Sequence, residues 1–395
     1  MTDNEEIIYL DNNATTQLDP AVIEEMLPFL TKYYGNPSSG YGFAATARKA
    51  INLARERLAA LLGCEPTEII FTSGGTESNN AVINSALQLE ARGKHVITSA
   101  VEHTAVVRPC QDLAKGGSDV TFLGVDRHGN LDLAELEAAI RPETALVSIM
   151  WGNNETGVIF PIEKIAAICR QKGVLFHTDA VQATGKIPMC LRDTAINFLS
   201  LSAHKFHGPK GVGALYVSRQ TLFNALIAGG GQENGCRGGT ENVASIVGLG
   251  KAAELALKYL TEDKCNIRSM RDRFEKSVLE AVSGASVNGA DAARLPNTSS
   301  FSFEGIESSA ALLLLDRQGI CCSAGSACRT GSQEASYVLR AMNPSGDGAR
   351  RSLRFSFGRF NTDAQIDRAI EVVPKVIEKL RQTAAPTAVG AVSFG

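Results

Sequence analysis

The sequence predicts an α/β fold built on a largely parallel sheet, followed by a smaller α+β portion toward the C-terminus. Three observations predict it. Short apolar, β-branched runs alternate with helix-periodic runs through most of the 395 residues, the signature of βαβ units. A Gly-rich turn, FTSGGTESNN, stands between one strand-like run and the helical run after it. Beyond about residue 280 the alternation changes, and the strand-like TSSFSF and LRFSFGRF enclose a helical stretch.

Along the chain, EIIFTS reads as a strand and SNNAVINSALQLEARG as a helix. KHVITSA and TALVSIM follow as strands, IEKIAAICRQKG as a helix and VLFHTDA as a strand. INFLSLSAHK and GVGALYVS add two more strands. After the Gly-rich GGGQENGCRGGT, a long helix is predicted from Val243 to about Leu279, and ESSAALLLLDRQ makes another between the last strands. The terminal AAPTAVGAVSFG lacks periodicity and reads as a loosely held tail. No internal repeat is visible. With roughly 150 residues per domain, two or three domains are expected.

Composition narrows the class. Hydrophobic residues are 44% and charged residues 21%, ordinary for a soluble globular protein. A net charge of -3 gives no reason to expect nucleic acid or an anionic membrane as partner. The longest apolar stretches, such as Ala310 to Leu315, are too short to span a bilayer. MTDNEEIIYL is acidic and lacks a basic-plus-apolar signal pattern, so a cytoplasmic enzyme is expected. Nine cysteines without regular spacing read as reduced thiols. Cys64, Cys110, Cys169, Cys190 and Cys265 stand in helix-like or apolar stretches and read as inert packing residues.

Several residues stand where chemistry is possible. Lys205 follows an apolar strand and precedes a Gly/Pro turn in LSLSAHKFHGPKGVG. Ligands bind at strand ends in open α/β sheets, and a partly desolvated lysine there is a nucleophilic amine suited to Schiff-base chemistry. An isolated lysine in a turn is more often a surface residue. Asp179 ends VLFHTDA, where a carboxylate could face the ring nitrogen of pyridoxal phosphate (PLP). Gly74, Gly75 and Thr76 occupy a strand–helix turn whose free N–H groups suit a phosphate, although such turns are common. His103, after another strand, could stack on a flat ring or be a satisfied core histidine. His204 and His207 have no adjacent carboxylate or thiol to complete a ligand set, so no metal is expected. Cys321 and Cys322, with Cys328 beyond, fit zinc spacings poorly, and the first two read as packing in a strand-like run.

The order of these stretches is what identifies a family. YLDNNATT, GNPSS, FTSGGTESNN, EH at 102–103, NNETG, HTDAVQATGK, SAHKFHGPKG, GGGQE with RGGTEN, CSAGSAC and RFSFGR cover nearly the whole chain. Together they resemble class V, fold-type I PLP enzymes, and among them the NifS/IscS group of cysteine desulfurases. DNNATT and GGTEN lean toward the NifS side. Two departures are Ala324, where the family often has Ser or Thr, and Tyr41, where many relatives have His.

The resemblance implies a large PLP-binding domain, residues 15–260, with a mostly parallel seven-stranded sheet. Residues 1–14 and 261–395 would form the small domain, which would carry a mobile cysteine loop at about 321–335. Lys205 would hold PLP and later move the substrate α-proton. Asp179 would pair with the ring nitrogen and Gln182 with the ring oxygen, and His103 would stack on the ring and relay a proton. Gly75, Thr76, Ser202 and His204 would cradle the phosphate, with Thr240 arriving from the second subunit of a homodimer. Asn154 would touch cofactor and substrate, and Arg354 would grip the substrate carboxylate.

Cys328 narrows the reaction. It stands in the small-residue segment CSAGSACRTGSQEAS, where a thiol can travel. The resemblance implies attack of its thiolate on the sulfur of L-cysteine, leaving a Cys328 persulfide and alanine. Sulfur would then pass to a U-type scaffold protein for iron–sulfur cluster assembly, either for nitrogenase or for general use. Cys328 would be at most a transient shared cluster ligand. Selenocysteine lyase or aminotransferase chemistry is the enzymatic alternative, and transamination needs no loop thiol. A non-enzymatic sulfur relay would not need Lys205, Asp179, Gln182 and His103 intact.

Overall fold

The computed structural model describes residues 7–89, 93–324, 335–343 and 347–384. The chain opens with β1 (Ile8–Tyr9), α1 (Pro20–Thr31) and α2 (Gly42–Leu62). Asp19 caps α1 by accepting from the Ala21 N–H at 2.9 Å, and Pro20 takes the first helical position, where no donor is needed. Then come β2 (Ile69–Thr72), α3 (Gly75–Leu89), β3 (His95–Ser99), α4 (Thr104–Lys115), β4 (Val120–Leu123) and α5 (Leu133–Ala139). The alternation continues through β5 (Thr144–Ser148), α6 (Ile162–Lys172), β6 (Leu175–Asp179), β7 (Phe198–Ser202) and β8 (Gly213–Val217).

Strands β2 to β8 form one seven-stranded sheet in the order β2-β8-β7-β6-β5-β3-β4. All neighbours are parallel except at β8, which runs antiparallel to β2 and β7. Six strands therefore point their carboxyl ends the same way. Strands β2, β3, β5 and β7 are buried at every residue, polar positions included, because helices cover both faces. The two faces separate with period 2 along β2. Ile69 and Phe71 join the core shared with α2, whereas Ile70 joins the one beneath α3 and α4.

The long helix α7 (Val243–Ala281) agrees with its sequence prediction. Its first half, through Leu249 and Ala253, packs into the large-sheet core. Its second half, through Phe274 and Val278, enters a separate core with Phe301, Phe355 and Phe357. That core lies on a four-stranded antiparallel sheet made by β9 (Ala285–Val287), β10 (Thr298–Phe303), β12 (Ser323–Ala324) and β13 (Ser352–Ser356). Helices α8 (Ser308–Asp316) and α10 (Asp363–Ala384) pack there, β11 (Ile320–Cys321) pairs with β1, and α9 (Tyr337–Met342) precedes β13. Among the described residues no helix is long and apolar enough to cross a membrane.

One sequence expectation is corrected. Cys64, Cys110 and Cys169 are buried, and burial pushes each thiol up to about 12. Cys190 and Cys265 are exposed instead. Their neighbours are apolar or helical, but that does not decide which side of a turn or helix faces the core. The expected C-terminal tail begins at Ala384, the last residue of α10, and the rest of it lies outside the described residues.

Candidate active site

A cavity of about 870 Å³ opens at the carboxyl ends of the large-sheet strands. The segments that follow β2, β3 and β7, and the end of β6, each deliver one part of its wall. At the end of β2 the chain turns through Gly74, at φ +150°, into the first turn of α3. A Cβ at Gly75 would lie 2.6 Å from Val181 Cγ2, and one at Gly213 would lie 2.6 Å from Gly74 Cα. Only glycine leaves room for the Val181 side chain at the first position and for the Gly74 backbone at the second. Ser73, Gly74, Gly75 and Thr76 line the cavity beside Ser202, His204 and Lys210, so the amides of the α3 N-terminus form an anion cradle. Burial and the neighbouring lysines 205, 210 and 186 push His204 down to about 4, so its ring is neutral.

His103 caps α4 and lines the cavity. Its Nδ1 accepts from the Ala105 N–H at 3.1 Å, which requires a neutral ring with its proton on Nε2. The preceding Glu102 is fully enclosed, and burial pushes its carboxyl up to about 8. Its Oε1 accepts from Ser99 Oγ at 2.7 Å and from the Met150 N–H at 2.9 Å.

Asp179 ends β6 at the cavity wall. Asn79 Nδ2 donates to its Oδ2 at 2.7 Å and the Val181 N–H to its Oδ1 at 3.0 Å. Lys205 closes the short turn after β7, and its Nζ donates to the carbonyls of Asn13 and Ala14 at 2.6 and 2.8 Å. Gln182 lines the same wall, its Nε2 donating to Asn13 O at 2.9 Å.

The opposite wall comes from the small sheet. Arg354 on β13 is 3% exposed, and its Nη1 donates to Asn154 O at 2.9 Å and its Nη2 to Asp11 Oδ1 at 2.6 Å. Ser323 Oγ donates to the second Asp11 oxygen at 3.0 Å. Glu155 also lines the cavity and accepts from Ser336 Oγ at 2.5 Å. Burial pushes Glu155 up to about 7, against the Ser336 hydrogen bond and the charge of Arg354.

Of the residues expected from sequence, the cavity thus gathers Gly75, Thr76, His103, Asn154, Asp179, Gln182, Ser202, His204, Lys205 and Arg354. Thr240 is exposed and does not line the cavity of its own chain. Cys328 lies at 325–334, outside the described residues. Ser323 is tied to Asp11 on one side of that segment, and Ala335 lines the cavity on the other. Burial raises the Cys321 and Cys322 thiols, in keeping with packing roles. No cluster of metal-ligating side chains occurs among the described residues. Asn13, Glu155, Lys186 and Lys210 were not singled out from sequence. All four fall inside the motif stretches, and nothing but that position marks them.

A family model described as Aminotransferase class-V matches residues 8–369. A cysteine desulfurase of Nostoc sp. (strain PCC 7120) is 52% identical, covering 95% of this chain and 94% of the relative. The cysteine desulfurase NifS of Azotobacter vinelandii is 48% identical, covering 95% and 93%. A solved structure described as a NifS-like protein superposes with a TM-score of 0.89 at 38% identity, covering 95% of this chain and all of that one. With a family match across the chain and relatives near half identity, the protein belongs to the class-V aminotransferase family, in its group of NifS-like cysteine desulfurases.

Proposed function

We propose that this protein is a PLP-dependent cysteine desulfurase that moves sulfur from L-cysteine to Cys328 and releases L-alanine. The observation that carries the reading is the convergence of Lys205, Asp179, His103, the α3 anion cradle and Arg354 on one cavity.

The residues fit PLP by chemistry. The α3 amides, Ser202 and His204 suit its phosphate, Asp179 suits a protonated ring nitrogen, Gln182 suits the ring oxygen, and His103 offers a flat face. Lys205 supplies the amine that would hold it. When bound, PLP supplies an electron sink at the substrate α-carbon. Thr240 would reach the phosphate from a second subunit.

The chain's own groups do the rest. Arg354, fixed by Asp11 and Asn154 O, receives the α-carboxylate and so orients the amino acid. Lys205 takes and returns the α-proton. The Cys328 thiolate then attacks the substrate sulfur: an S–S bond forms and the Cβ–S bond breaks. The departing electron pair stays on carbon, and a proton completes alanine. Cys328 is left as a persulfide, and no external oxidant or reductant is consumed.

The same reading assigns residues 15–260 to a large domain, and 1–14 with 261–395 to a small one. It places the protein in the cytoplasm as a homodimer that hands its sulfur to a scaffold protein for iron–sulfur cluster assembly. Incubation with PLP, L-cysteine and a thiol reductant tests it by yielding sulfide and alanine in equal amounts. Both fall to background in Lys205→Ala and Cys328→Ala. Alanine formation untouched by Cys328→Ala would sink the persulfide route.

A further inference from the structure

A second lysine stands behind the cofactor-holding one. Lys186 does not line the large cavity; it lines a separate cavity of about 40 Å³ on the far side of Lys205. The residue is half-buried, but its amine is desolvated and donates to two amide oxygens. These are Gln182 Oε1 at 2.8 Å and Asn13 Oδ1 at 3.3 Å. The charged groups acting on it are Lys205 and Arg354, both cations, and no described carboxylate pairs with it. Burial first, and then these two charges, hold its pKa well below the usual lysine range.

Both acceptors belong to side chains whose two ends must be told apart. With Oε1 taken by Lys186, Gln182 presents its NH₂ to Asn13 O, and the second hydrogen is left for the cavity. With Oδ1 taken by Lys186 and Asn297 Nδ2, Asn13 turns its own NH₂ to Asn154 O and Thr298 Oγ1. The Asn13 carbonyl is also an acceptor for Lys205. One amine thus touches the network that orients Gln182, Asn154 and Lys205.

We propose that Lys186 is a positioning residue that fixes the amide orientation of Gln182 and Asn13, and through Gln182 sets the protonation behaviour of the bound cofactor. This rests on PLP occupying the cavity with Gln182 at its ring oxygen. A hydrogen bond to an ionised oxygen favours the ionised form, so a misaligned Gln182 raises the pH at which the bound chromophore titrates.

Spectral pH titration of the PLP-loaded protein tests this, using Lys186→Met, Gln182→Leu and the double variant. Lys186→Met is expected to move the titration upward by about half to one pH unit, and the double variant to match Gln182→Leu alone, because coupled residues are non-additive. Lys186→Gln, shorter but still a donor, should give a smaller upward shift and serves if Lys186→Met does not fold. A folded Lys186 variant that loses thermal stability yet titrates like the parent would overturn the inference, as would full additivity with Gln182→Leu. A parent protein that takes up no PLP overturns the functional reading as well. A parent that binds PLP with an unmoved variant overturns this inference alone.

Discussion

Arg354 and Asp11 form an ion pair inside the cavity wall, with Nη2 to Oδ1 at 2.6 Å and only 3% of the arginine side chain exposed. The pair joins the strand that carries the guanidinium to the segment just after β1, and the second Asp11 oxygen holds Ser323 at the edge of the Cys328 segment. An arginine fixed in this way can offer a planar fork to a carboxylate with little ordering left to do.

Arg354→Lys keeps the charge and loses the fork. Hydrogen bonds to charged groups contribute about 1.5–3 kcal/mol, so the KM for cysteine should rise roughly tenfold to a hundredfold, with kcat changing less. Initial rates over a range of cysteine concentrations read this directly. An unchanged KM would place the substrate carboxylate elsewhere.

Gly213→Ala probes the cradle from behind. The new Cβ would meet Leu201 O at 2.4 Å and Gly74 Cα at 2.6 Å, both backbone atoms that cannot swing aside. The expected outcome is a destabilisation of about 1–3 kcal/mol from overpacking. Weaker PLP binding should accompany it, because Gly74 must shift. Thermal melts with and without PLP separate the two, and an unaltered PLP affinity would detach this turn from phosphate binding.

Glu102 gives a pH prediction. Its folded pKa, about 8, lies above the 4.5 of an ordinary glutamate, and burial is the main cause. The folded state thus binds the extra proton between these values. The stability associated with that proton is complete below about pH 4.5 and is lost as pH rises through 8. Glu102→Gln removes the ionisation. The variant should melt close to the parent at pH 5 and above it at pH 9. Parallel melting curves for the two proteins across that range would show that Glu102 does not titrate there.

Much of this arrangement was legible because its signals are local. Asp179 ends one buried strand and Lys205 closely follows another, and both strands are apolar enough for these places to be read from pattern alone. The antiparallel direction of β8 could not, because GALYV reads the same in either direction and its partners are distant in sequence. The two-residue strands β1, β11 and β12 carry no period at all. Asn13 and Lys186 were passed over for a related reason. Their roles exist only once residues 13, 154, 182 and 297 meet, and an asparagine or a lysine in a turn looks the same without them.

The central claim is that sulfur leaves cysteine onto Cys328, and a single turnover reads it most directly. PLP-loaded protein is given one equivalent of L-cysteine without reductant, its thiols are trapped, and the peptide carrying Cys328 is weighed. The account predicts one added sulfur atom on Cys328 for each alanine released, and neither product in Lys205→Ala. Alanine appearing with an unmodified Cys328 peptide and its sulfur already free in solution would contradict it.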